Sequence, residues 1–150
     1  MPLSPGAMLG LAMRFQVVVD GVDLGGWQSC KGLSVDFKPE PIAEGGNYEY
    51  STYLPGRLTY TEVTLMRAMT AADSGKVQQW LSSKISGWVT DTGLSSGGTM
   101  RITLQDAHGG QVSSWSLRNV QPKAWKGPDL ESTASKVALE TLVLVHEGFL

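Results

Sequence analysis

A strand that is apolar on both faces cannot be left bare on either, and this chain carries one near its end. Between Lys136 and His146, alternation places Val137, Leu139, Thr141, Val143 and Val145 on one face. Ala138, Glu140, Leu142, Leu144 and His146 fall on the other. The first face is almost wholly apolar, and Leu142 and Leu144 make the later half of the second apolar too. A small antiparallel domain buries only one side of its sheet, so the other side must be covered by a packed helix or by a neighbouring subunit.

The rest of the chain supplies short strands around this one. Phe15, Val17 and Val19 alternate with Gln16, Val18 and Asp20, and Asp20-Gly21 is a hairpin turn signal. Strand character resumes from Trp27 to Phe37, where Gly32 marks a bulge or a close approach. Leu58–Met66, Thr99–Gln105 and Gln111–Val120 read as further strands, the last two joined by a hairpin over Asp106-Ala107-His108-Gly109-Gly110. Pro122–Pro128, with Trp125, reads as a loop. One helix is expected: Asp73 or Ser74 caps it, Val77, Trp80, Leu81, Lys84 and Ile85 share a face, and Gly87 stops it. About seven strands and one helix predict a mainly β domain, a barrel or sandwich with a flanking helix. The 18 glycines and 7 prolines of this 150-residue chain fit the many turns that such a fold needs.

Residues 38–57 stand apart. Pro39 and Pro41 loosen strand pairing, Glu44-Gly45-Gly46-Asn47 turns, and Tyr48, Tyr50 and Tyr53 precede Leu54-Pro55-Gly56. This segment predicts an exposed arm whose aromatics serve protein–protein contact. The expected subunit-interface residues are Tyr48, Tyr50, Tyr53, Leu54 and Pro55, together with Leu142 and Leu144 of the two-faced strand.

Chemistry is sparse. Nucleophile-elbow, phosphate-loop, zinc-helix and Cys-x-x-Cys motifs are all missing, so no catalytic residue, metal site or cofactor is expected. Asp106 and His108 would leave a tetrahedral metal site half empty. His146 reads as a structural hydrogen-bonding residue, and Cys30, the single cysteine, as a buried small hydrophobe. Trp80 is assigned to the core, and the other four tryptophans to mixed core and interface use. A net charge of −2 without a basic stripe gives no nucleic-acid-binding motif. The first 13 residues have no charge and lack the basic start of a signal peptide. No apolar run approaches the roughly 18 residues of a membrane anchor. The segment 1–13 is expected to be an extension, followed by a single domain over 14–150.

Several segments, in order, carry a resemblance. They are Phe15–Val22, Lys31-Gly32-Leu33-Ser34, Glu44–Asn47 followed by Leu54-Pro55-Gly56, and Thr64-Leu65-Met66-Arg67. Asn119-Val120-Gln121-Pro122, Gly127-Pro128-Asp129-Leu130 and Val137–Gly148 complete the set. Together they resemble the inner tube proteins of contractile phage tails and of phage-tail-like contractile injection systems, related in fold to the Hcp tube of type VI secretion. Val120-Gln121 departs from the Ala-Trp usual there, and Met69 from a glycine. The resemblance implies a barrel subunit that forms hexameric rings, stacked into a hollow tube propelled by a contracting sheath. It implies as partners the chain itself, the sheath, a baseplate or spike hub, and a tape-measure, cap or effector cargo at the lumen. Assembly in the cytoplasm, within a phage tail or an injection particle, follows from the same resemblance. A free Hcp-type ring that carries an effector is the alternative, and a small ligand-binding barrel or enzyme a more remote one.

Overall fold

The computed structural model describes residues 14–43, 45–46, 48–90, 97–128 and 137–150. The expected extension 1–13, Glu44, Asn47 and the Asp129-Leu130 end of the Gly127–Leu130 segment lie outside them.

The chain begins with a hairpin of β1 (Arg14–Val19) and β2 (Val22–Trp27). Its turn residues Asp20 and Gly21 both have positive φ, which matches the twist of the paired strands. Next come β3 (Ser29–Lys31), β4 (Val35–Asp36), β5 (Glu40–Ile42), β6 (Thr52–Leu54), β7 (Thr59–Tyr60) and β8 (Val63–Ala68). Helix α1 (Ala71–Thr90) leads to β9 (Gly98–Gln105), β10 (Gln111–Lys126) and β11 (Leu139–Val145).

The seven-stranded sheet runs β2-β1-β9-β10-β11-β8-β3, with every neighbouring pair antiparallel. Its two ends are the same piece of chain. Trp27 ends β2, Ser29 starts β3, and the Gln28 amide between them donates to the Met66 carbonyl at 3.1 Å. One bent strand therefore pairs β1 with its first half and β8 with its second, closing the sheet into a barrel without free edges. Gly32 lies at the end of this strand with φ +97, and a Cβ there would overlap the Glu62 carbonyl. The close approach read at Gly32 is the structural fact.

The second corner is β10. Its first part pairs β9 and its last part pairs β11, with irregular register at Leu117/Val120 and at Pro122/Ala124. Asn119, at positive φ, makes the first bend. Pro122 sits where the strand changes partner, so its missing amide costs little. The loop expected over Pro122–Pro128 is thus strand as far as Lys126.

Inside the barrel, Val17, Val19, Leu24, Trp27, Val63, Leu65, Met100, Ile102, Leu117, Val120, Leu142 and Leu144 form one core, and Val77 and Trp80 of α1 join it. Each such side chain contributes about 1.5–3 kcal/mol on leaving water. In β11 the inward face is Glu140, Leu142 and Leu144, while Leu139 and Val145 on the other face are exposed. Leu142 and Leu144 are fully enclosed by their own subunit, which corrects their assignment to a subunit interface.

Helix α1 starts earlier than expected. The Thr70 hydroxyl accepts from the Asp73 amide at 3.2 Å, so Thr70 is the cap rather than Asp73 or Ser74. The helix also continues through Gly87 to Thr90.

Candidate assembly surface

The most chemically loaded cluster lies in the interior. Arg67 of β8 and Glu140 of β11 stand directly opposite in register and form an ion pair, with side chains 3% and 0% exposed. The guanidinium also donates to the carbonyls of Leu24 at 2.5 Å and Asp73 at 2.9 Å, and stacks on Trp27 at 3.9 Å. Trp125 Nε1 reaches the second Glu140 oxygen at 3.4 Å. Asp73 is in the first turn of α1, so this network ties the helix to four strands, β2, β8, β10 and β11. Its donors and acceptors are used on structural partners, and the cluster has architecture as its task rather than chemistry.

The histidines are also structural. Asp106 Oδ1 accepts from the amides of His108 at 2.9 Å and Gly110 at 2.8 Å, which makes His108 part of an exposed turn. His146 Nδ1 accepts from the Gly148 amide at 3.1 Å, so its Nε2–H donates to the Thr61 carbonyl at 3.1 Å. Burial lowers its pKa below the usual value, against a raising effect of the Thr61 bond, and Arg118 lowers it further. A neutral ring suits both bonds. His146 and Phe149 meet Tyr60 edge-on at the base of the arm and lie tilted against each other. Burial pushes the Cys30 thiol up to about 11, which leaves little thiolate near neutral pH. Among the described residues no group of three or more metal-ligating side chains occurs, and no helix is long and apolar enough to cross a membrane.

The surface is more informative. The predicted arm is a two-tier hairpin: β4 pairs β7 at its base, and β5 pairs β6 further out, Glu40 opposite Leu54 and Pro41 opposite Tyr53. Lys38 takes a positive φ between the tiers, where a Cβ on Gly56 would overlap its carbonyl. Tyr48 is 97% exposed, and Phe37, Ile42, Tyr50, Tyr53 and Leu54 are exposed as well. Pro55 is exposed beside them. The arm therefore presents Tyr48, Tyr50, Tyr53, Leu54 and Pro55 together, away from the core that holds Leu142 and Leu144.

A groove of about 320 Å³ lies between α1 and the end of β10. Its floor is Leu81, Ile85, Pro122, Ala124 and Trp125, with Lys84 and Lys123 on its margin. Lys123 pairs with Glu62, and Ile85 is more than half exposed. Sequence reasoning missed the groove because Pro122–Trp125 read as a loop. The available signal was Ile85, the last residue of the helix's apolar stripe, which stays more than half exposed.

A closed barrel with a helix packed on its core, an exposed aromatic arm and an interior network spent on architecture defines a structural assembly module. The family model for the T4-like virus tail tube protein gp19 matches residues 11–150, and the chain belongs to that tail tube family. It is accordingly a structural inner tube subunit of a contractile tail or injection particle, in a family of tube proteins rather than enzymes.

The fold is similar to a chain in the extended sheath/tube terminator of the extracellular contractile injection system PVC. The TM-score is 0.70 at 17% identity, covering 100% of this chain and 96% of that one. A chain of the anti-feeding prophage baseplate aligns with TM-score 0.64 at 19% identity, over 91% of this chain and 89% of that one. A type six secretion system protein aligns more distantly, with TM-score 0.52 at 10% identity over 90% and 80%. A search of curated protein sequences gives no significant match.

Proposed function

We propose that this subunit closes into hexameric rings that stack, through the arm, into a hollow tube inside a contractile sheath. The observation that carries the reading is the arm: a hairpin whose large apolar side chains stand exposed in their own subunit, Tyr48 above all. Tyr48, Tyr50, Tyr53, Leu54 and Pro55 are its contact residues. Sixfold closure is supported by the anti-feeding prophage baseplate chain, which comes from a 6-fold symmetrised assembly. Sheath association is supported by the PVC sheath-tube complex, one chain of which aligns at TM-score 0.68 and 17% identity over 99% of this chain and 97% of that one. A baseplate or spike hub below, a cap above, and a tape-measure or effector cargo in the lumen complete the partner set, with assembly in the cytoplasm.

Sedimentation with electron microscopy of the purified chain tests this. Rings of about six subunits, or stacked tubes, are expected. Replacing residues 43–51 by a short turn should leave the barrel folded and abolish stacking. A wild-type chain that stays monomeric at every concentration, alone and with a baseplate present, would sink the proposal.

A further inference from the structure

The arm needs a receptor, and the same subunit carries a surface of matching chemistry. From Glu40 to Leu54 the chain has three glutamates, at 40, 44 and 49, and neither lysine nor arginine. The outer arm is therefore acidic as well as aromatic. The groove between α1 and β10 has the opposite character: an apolar floor of Leu81, Ile85, Pro122, Ala124 and Trp125, and a margin of Lys84 and Lys123 without any carboxylate in the lining. Lys123 is already paired with Glu62, which leaves Lys84 as the cation best placed to meet an incoming acid.

We propose that this groove receives the outer arm of a second copy of the chain, with arm aromatics on the Ile85–Trp125 floor and arm carboxylates at Lys84. This rests on the tube-subunit reading and gives its arm a destination. The contact is heterologous, since one patch meets a different patch. Repetition of such a contact propagates along a stack or around a ring instead of ending at a dimer. The aromatic floor supplies the anchor, and the charge pairing fixes which way the arm lies.

The test is a charge exchange read by the concentration needed for assembly. Lys84→Glu should raise that concentration about tenfold, and adding Glu40→Lys in the same chain should restore most of it. Glu40 is exposed and Lys84 half-buried at the groove, and neither belongs to the core. A second measurement mixes separately tagged Tyr48→Cys and Ile85→Cys chains with a short bis-maleimide. Both chains carry Cys30→Ser so that no native thiol competes, and the expected product joins one tag to the other. Arm shortening that abolishes assembly while Lys84→Glu has no effect overturns the groove and leaves the tube reading standing. If arm shortening also has no effect, the stacking role of the arm fails with it. An Ile85→Cys chain that instead cross-links to its own Met8→Cys assigns the groove to the N-terminal segment and overturns the proposal.

Discussion

At the scale of single residues, the buried pair of Arg67 and Glu140 is the decisive feature. A charged pair wholly removed from water offsets its desolvation cost only with good geometry and complete hydrogen bonding. Here the guanidinium meets a carboxylate, two carbonyls and a tryptophan face. Glu140→Gln keeps the shape but strands the Arg67 charge, and should cost about 3–5 kcal/mol in urea unfolding of the disassembled subunit. The double variant Arg67→Met/Glu140→Leu removes both charges and should cost less than the two single losses added together. A Glu140→Gln chain within about 0.5 kcal/mol of wild type would show that the pair is not what docks the helix. This pair was half legible: Glu140 shares a face with Leu142 and Leu144, which marks it as an inward charge needing a partner. The identity of that partner follows only from the pairing of β11 with β8, a contact between residues 73 positions apart.

At the scale of elements, the strands were legible where alternation was clean, as in β1, β9 and β11. The reading was less faithful where tertiary structure overrode local signals. Pro122 reads as a breaker, yet β10 passes through it because the strand exchanges β9 for β11 there. Gly87 reads as a helix stop, yet the backbone remains helical to Thr90. It is not among the glycines at positive φ, and a Cβ added there meets no atom within 4 Å. Glycine in a helix interior carries an entropic cost without a compensating geometric need. Gly87→Ala should therefore stabilise the subunit by about 0.4–1 kcal/mol, measurable as a raised urea midpoint at unchanged slope. Loss of stability would mean that the end of α1 requires glycine in the assembled or free state.

At the scale of the whole molecule, the barrel has two unlike outer faces. On the β1-β9-β10 side, Gln16, Arg101, Thr103, Gln105, Ser114 and Ser116 lie among the outward positions, and polar groups dominate. On the β11-β8 side the outward positions are Leu139, Thr141, Val143 and Val145, beside Thr64, Met66 and Ala68, and none is charged. The terminal strand is thus enclosed on its Glu140-Leu142-Leu144 face and open on the other, because α1 sends Val77 and Trp80 to the core and does not cover Leu139 or Val145. This face continues directly into the groove, since Ala124 of the groove floor pairs with Val143 of β11, so under the proposed docking of a second copy both would be covered together. The two faces should therefore respond differently to the same insult. Val143→Lys, which puts a charge on the uncharged face without touching the core, should leave unfolding within about 1 kcal/mol of wild type and strongly reduce assembly. Thr103→Lys, on the polar face, should assemble normally, because that face already carries charge and water. Sedimentation and electron micrographs of both variants under matched conditions decide between these outcomes. Equal assembly of the two would mean that the uncharged face is not buried between subunits; failure of Thr103→Lys alone would place the subunit contact on the opposite side of the barrel.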